Sequence, residues 1–184
     1  WVLGDARPLR CQGMGGRSTL NAERFGNVFD HHAVVYDFPN GVRVYAYCRT
    51  IDNCYNENSS VITGTKGKCD LLKLRIEGEV NWASTSGVSK NPAYDLEHVA
   101  LFRAIREDRP LINDGYMVDS TQTGIMGQIA CYTGQMVEWE QVSQSDYSFG
   151  PRPEQCHAGM EPPVRPGPDG VYPPAFVPGV SKIV

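Results

Sequence analysis

Apolar and polar positions alternate with period 2 through DHHAVVYDFPNGVRVYAYCR, residues 30–49, and the alternation breaks only at Pro39-Asn40-Gly41. Proline presets φ and Asn-Gly tolerates positive φ, so the break reads as the reversal of a β-hairpin. On the second arm Val42, Val44, Ala46 and Cys48 share one face, and Arg43, Tyr45, Tyr47 and Arg49 share the other. A sheet built from this arm is expected to bury the small apolar face and present the Arg/Tyr face. The first arm sets His32, Val34, Tyr36 and Phe38 against His31, Ala33, Val35 and Asp37. Both sides are substantially apolar, which predicts the more interior strand.

Shorter period-2 runs flank the hairpin. Pro8 to Gly16 reads as a strand or extended segment, and Arg17 to Asn27 as a polar, Gly-bounded loop of the kind that covers a site. After a polar loop at 50–60, Val61 to Gly67 predicts a strand ending in a turn, Cys69 to Ile76 a second strand, and Val80 to Trp82 a brief third. The period then switches to 3.6. Asn91-Pro92 has helix-start chemistry. Leu96, Val99, Ala100 and Arg103 share a face widened by Phe102 and Ile105, predicting a helix to about Glu107. A second helix is predicted over Tyr116 to Tyr132, capped by Asn113-Asp114-Gly115 and ended by Gly134. Its stripe is Met117, Thr121, Ile125, Gln128, Ile129 and Tyr132, and Gly124 and Gly127 inside it imply close approach to a neighbour. Met136 to Glu140 can add an edge strand.

Strands followed by helices, without alternating βαβ units, predict an α+β domain: an open, predominantly antiparallel sheet with helices packed on one face. From Gln141 the chain turns Pro- and Gly-rich, so the expected organisation is a domain over 1–140 and an arm over 141–184, with Tyr172 and Phe176 favouring an arm that packs.

Composition narrows the function classes. A formal net charge of −4, with dispersed Lys and Arg, argues against nucleic acid as the partner. No apolar run approaches the ~20 residues that span a bilayer, so no membrane is implied. The six cysteines form no C-x-x-C or zinc-like pairing and read as small buried thiols. The chain lacks an initiator Met, and Trp1-Val2-Leu3-Gly4 reads as the tail of a helix, so a longer parent is expected. No targeting signal is present and no compartment follows.

Two Gly-rich stretches fail as nucleotide sites. Gly13-Met14-Gly15-Gly16 puts Ser18 where a dinucleotide loop needs its third glycine, and Gly64 to Lys68 has Ile62 and Cys69 at the defining P-loop positions. Asp30-His31-His32 is the cluster with catalytic potential, because imidazole titrates near neutrality and a neighbouring carboxylate can orient it. Neighbours in a strand point to opposite faces, so both histidines cannot serve one site without a bulge. Arg17 and Tyr116 are further candidate substrate contacts.

GMGGRSTLNAERFGNVFDHHAVVYDFPNGVRVYAYCR, SSVITGTKGKCD, NPAYDLEHVALFRAIREDRPL and YTGQMVEWEQ resemble the C-terminal domain of Gfo/Idh/MocA oxidoreductases, in family order over nearly the whole chain. The likeness is to bacterial members with a Pro-rich extension such as VRPGPDGVYP. The resemblance implies an upstream Rossmann domain, absent from this chain, that binds NAD or NADP and carries the catalytic Lys and His motifs. This chain would then hold no catalytic or cofactor-binding residue, bind no metal, and be inactive by itself. It would bind a sugar, polyol or related hydroxy compound through Arg17, Asp30, His31, His32 and Tyr116. It would also build a homo-oligomer through the sheet, with Arg43, Tyr45, Tyr47 and Arg49 at the interface. Other readings are a stand-alone binding or assembly module, and part of an NAD-dependent glycosidase-like relative.

Overall fold

The computed structural model describes residues 2–85, 93–174 and 176–184. The chain divides into two compact units, Trp1–Asn53 with Asn113–Val184, and Cys54–Ile112. The Pro-rich segment from 141 onward thus falls in the unit that contains the hairpin.

In the first unit, β1 (Arg10–Gly16), β2 (His31–Asp37), β3 (Arg43–Arg49) and β8 (Val137–Glu138) form an antiparallel sheet in the order β3-β2-β1-β8. The hairpin forms as predicted. Asn40 and Gly41 take φ of 60° and 74°, and Phe38 N–H donates to Val42 O at 2.8 Å to close the loop. Strand β2 is interior, with His31 opposite Gly16 on one side and Arg49 on the other.

Helix α2 (Asp114–Thr133) lies across β1 and β2 on one face of this sheet. Cys11, Val34, Tyr36, Met126, Ile129, Ala130, Cys131, Val137 and Trp139 make the core between them, with Trp139 opening the short helix α3 (Trp139–Ser143). Small residues permit the close approach. A Cβ on Gly13 would sit 2.8 Å from Cys131 Sγ, one on Gly15 would sit 2.6 Å from His31 O, and one on Gly127 would collide with Tyr36 Oη. Gly13 to Gly16 is therefore close-packed strand backbone. Gly134, at φ 68°, ends the helix by donating its N–H to Ala130 O.

The sheet corrects the expected burial of β3. Every residue of that strand is exposed, including Val44 and Cys48, because α2 covers β1 and β2 and an edge strand beyond them receives no cover. The apolar stripe predicted along α2 is buried only in its C-terminal half, and Met117 is exposed. Gly124 also departs from expectation, since a Cβ there would meet nothing within 4 Å. Of the six cysteines read as buried thiols only Cys11 and Cys131 are buried, and burial pushes them up to about 12 and about 11. Cys69 is half-buried, and Cys48, Cys54 and Cys156 are exposed because they lie on an uncovered strand or in loops.

The second unit carries a separate antiparallel meander of β4 (Val61–Gly64), β5 (Gly67–Asp70), β6 (Arg75–Gly78) and β7 (Trp82–Ala83), followed by α1 (Ala93–Arg106). The segment expected as one strand from Cys69 to Ile76 is thus two strands. Asp70 Oδ1 accepts from Lys73 N–H at 3.1 Å, Lys73 Nζ lies 2.9 Å from Asp70 Oδ2, and Leu74 adopts φ 50°. This local carboxylate turn outcompetes the continuous β pattern. Asn91-Pro92, read as the start of α1, and Trp1 lie outside the described residues. The α+β class and the antiparallel sheets agree with the sequence reading, with two four-stranded sheets among the described residues where one was expected.

Candidate functional site

The site forms where β1 ends, the 17–21 loop turns back and β2 begins. Asp30 N–H donates to Gly16 O at 2.9 Å, and Asp30 O accepts Thr50 N–H at 2.8 Å, so the residue is fixed on both sides by backbone. Its side chain is fully buried. A buried carboxylate needs several donors to remain charged, and the preceding loop supplies them. Oδ2 accepts the N–H groups of Ser18 at 2.8 Å, Thr19 at 2.8 Å and Leu20 at 3.2 Å, while Oδ1 lies 2.7 Å from His31 Nδ1. Burial alone would raise the Asp30 carboxyl. The Thr19 N–H, the His31 ring and the Ser18 and Leu20 N–H groups outweigh burial and hold it well below the usual carboxylate range.

An ionised Asp30 can only accept, so His31 carries its proton on Nδ1 and leaves Nε2 as the acceptor in the neutral ring. The His31 side chain is 41% exposed, which leaves the ring open to a hydroxyl hydrogen bond from outside. The arrangement is an oriented imidazole on an ionised, rigidly held carboxylate.

His32 points the other way, as strand geometry requires. Its ring lies among Phe29, with centroids 6.0 Å apart, and Tyr132, 6.2 Å away and tilted by 30°. Its Nδ1 is 3.6 Å from Cys48 Sγ, and its Nε2 is buried with no hydrogen-bond partner among the described residues. Burial first, then the charge of His31, lower the His32 pKa, and Asp30 partly opposes them. The unfolded chain takes up this proton as pH falls through ~6.5, which the folded chain resists. Stability owed to neutral His32 is therefore complete above ~6.5 and is lost as pH falls through the lowered native value. We expect the urea midpoint to drop more between about pH 7.5 and pH 5 in the wild type than in His32→Leu; parallel pH profiles would refute this.

Arg17 is engaged within the protein. Its Nε donates to Leu20 O and Asn21 Oδ1, both at 3.0 Å, and its Nη1 donates to Tyr172 O at 2.7 Å. It therefore holds the donor loop in shape and ties it to the C-terminal arm. The arm packs as Tyr172 and Phe176 foretold: Phe176 stacks on Tyr132 at 5.1 Å, and Phe149 meets the same ring edge-on at 6.1 Å. Tyr116 is not brought to the site. It sits in the first turn of α2, and at ~1.5 Å per residue lies about 24 Å along the helix from Tyr132.

Arg43, Tyr45, Tyr47 and Arg49 share the sheet face opposite α2, with Tyr47 and Met14 among its most exposed side chains. Asp37 accepts from Arg43 Nε at 2.8 Å and from Arg10 Nε at 3.1 Å, which fixes one end of that face. Sequence reasoning missed Ser18, Thr19 and Leu20 as the donors around Asp30, and missed Phe29 and Cys48 around His32. The available signal was a polar loop directly upstream of an aspartate, since its backbone donors require an acceptor. Among the described residues no group of three or more His, Cys, Asp or Glu side chains could hold a metal ion.

No protein-family model matches the chain, and no curated protein matches it. Its fold is similar to the solved structure of a "putative oxidoreductase" from Thermotoga maritima, with a TM-score of 0.55 at 15% sequence identity. The likeness covers 75% of this chain and 42% of that one. This chain therefore shares its fold with part of that protein and spans less than half the length of the protein it matches.

Proposed function

We propose that the chain is the C-terminal, substrate-binding and oligomerisation domain of an NAD(P)-dependent oxidoreductase of the Gfo/Idh/MocA type, acting on a sugar, polyol or related hydroxy compound. The observation that carries this reading is the fold shared with a protein described as an oxidoreductase, over most of this chain but under half of the other. The remaining part of the parent would be the Rossmann domain, which would hold NAD or NADP and supply hydride chemistry. In this reading the present chain positions substrate. Asp30 orients His31, and His31 Nε2 accepts a hydrogen bond from a substrate hydroxyl. His32 and Arg17 act behind it as positioning residues, while the Arg43/Tyr45/Tyr47/Arg49 face joins subunits. Tyr116, remote from Asp30, is assigned to no contact at that centre.

Titrating this 184-residue chain with NADH and NADPH should give no saturable binding, whereas the protein encoded with its upstream segment should bind one of them and transfer hydride. Micromolar cofactor binding by the chain alone would overturn the assignment. So would an upstream segment without a G-x-G-x-x-G loop between a strand and a helix.

A further inference from the structure

Two of the glycines in β1 are explained by the interior of the fold. A Cβ on Gly13 would run into Cys131 Sγ, and one on Gly15 into the backbone oxygen of His31. Gly16 is different. Its φ is not positive, so its backbone conformation is open to any residue. A Cβ there would meet the His31 ring, 3.2 Å from Cε1 and 3.3 Å from Nε2. Its chain neighbours aside, no other described atom lies within 4 Å of that point. A glycine inside a strand costs stability, and it often marks a place where a ligand approaches the backbone closely.

The ring beside Gly16 indicates what approaches. Nε2 is the acceptor nitrogen of an imidazole whose Nδ1 lies 2.7 Å from Asp30 Oδ1. That carboxylate is fully buried and bonded by the N–H groups of Ser18, Thr19 and Leu20. The ring therefore cannot turn away from Gly16 without straining its bond to Asp30. Gly16, His31 and Arg49 pair across the strands as the last row of the sheet. A ligand thus enters from the strand ends.

We propose that Gly16 is the specificity-determining residue of this site: its bare Cα leaves room at His31 Nε2 for a substrate hydroxyl and the carbon that carries it. The proposal rests on the reading of His31 given above and adds what selects the ligand. A hydroxyl over Gly16 donates to Nε2 at about 2.8 Å. A carbonyl oxygen can only accept, and it finds no donor at the neutral nitrogen. The ligand class is therefore an alcohol with an unhindered hydroxyl-bearing carbon. An alanine methyl at 16 presses on the ring and narrows the space, and a valine side chain fills it.

Diethyl pyrocarbonate, a small electrophile that acylates unprotonated imidazole nitrogen, reads this space in the dilute full chain. The reaction is run at about pH 8, where an ordinary imidazole is neutral, and each histidine is followed by mass spectrometry. His98 and His157 are exposed internal references, and His32, with Nε2 buried, reports folding. Gly16→Val should slow acylation of His31 about tenfold and Gly16→Ala about threefold, with both references unchanged and His32 still protected. Unfolding would do the opposite, exposing His32 and speeding His31. An unchanged or faster His31 in either variant, with His32 protected, overturns the proposal. The wild type decides without any variant: His31 should react within about threefold of His98, and a rate more than about tenfold slower overturns the open space at Nε2. The readout involves no cofactor, so a failed NADH or NADPH result leaves this proposal standing, and failure here leaves the cofactor assignment standing.

Discussion

Replacing Asp30 with alanine should destabilise the chain by about 2–4 kcal/mol. Three backbone N–H groups and the His31 ring converge on this fully buried carboxylate. Hydrogen bonds to a charged acceptor contribute about 1.5–3 kcal/mol each when removed singly. They do not add, because Ser18 and Thr19 lie at the surface and water can take over part of their bonding. Denaturant unfolding measures the loss, and faster amide exchange at Ser18 to Leu20 locates it. A loss below about 1 kcal/mol would show that the loop holds itself. The acid limb provides a second readout. A carboxyl held below its unfolded value of ~3.9 contributes stability above that pH and loses it as pH falls through the native value. Wild-type stability should therefore decline more steeply below about pH 4 than that of Asp30→Ala. Asp30→Asn separates charge from shape. It retains an oxygen for the loop N–H groups but turns an amide donor toward His31, forcing the imidazole proton to Nε2 and removing the outward acceptor.

Gly127→Val should be comparably severe, at about 3 kcal/mol or more. A Cβ at this position collides with Tyr36 Oη, and that hydroxyl is held by donating to Thr123 O at 3.0 Å. Tyr36 is buried and cannot swing away, so either α2 lifts off β2 or the Tyr36 bond breaks. Gly124→Ala, one turn earlier, is the control. A Cβ there meets nothing within 4 Å, and alanine is better than glycine in a helix by about 0.5–1 kcal/mol. Thermal unfolding of the two variants should thus shift in opposite directions. Equal destabilisation would mean that helix propensity, and not contact with the sheet, governs both sites.

The contrast between these glycines shows where reading along the chain stops. Both suggest close packing from sequence, yet only Gly127 faces β2. Which turn of a helix touches a sheet depends on residues far away in the chain, here Tyr36 and Val34. The same limit applies to the site. Asp30-His31-His32 stands out because carboxylate and imidazole chemistry is visible in residue type alone. That Asp30 engages His31 while His32 turns to Tyr132 follows partly from strand alternation. The closing of Ser18, Thr19 and Leu20 over the carboxylate does not, nor does the conversion of Arg17 into a clamp on Tyr172, since a loop carries no periodicity to read.

Local chemistry by itself determined the Asn-Gly hairpin, the interior position of β2, the two long helices and the α+β class. Each of these depends on φ preference or on a repeat of 2 or 3.6 within a few neighbouring residues. Tertiary structure alone decided that β3 lies uncovered, that α2 buries only its C-terminal half, and that Tyr116 is remote from Asp30. The physical reason is that burial belongs to pairs of surfaces. An alternating strand states which side is apolar, but only the reach of the element laid against it determines whether that side leaves water.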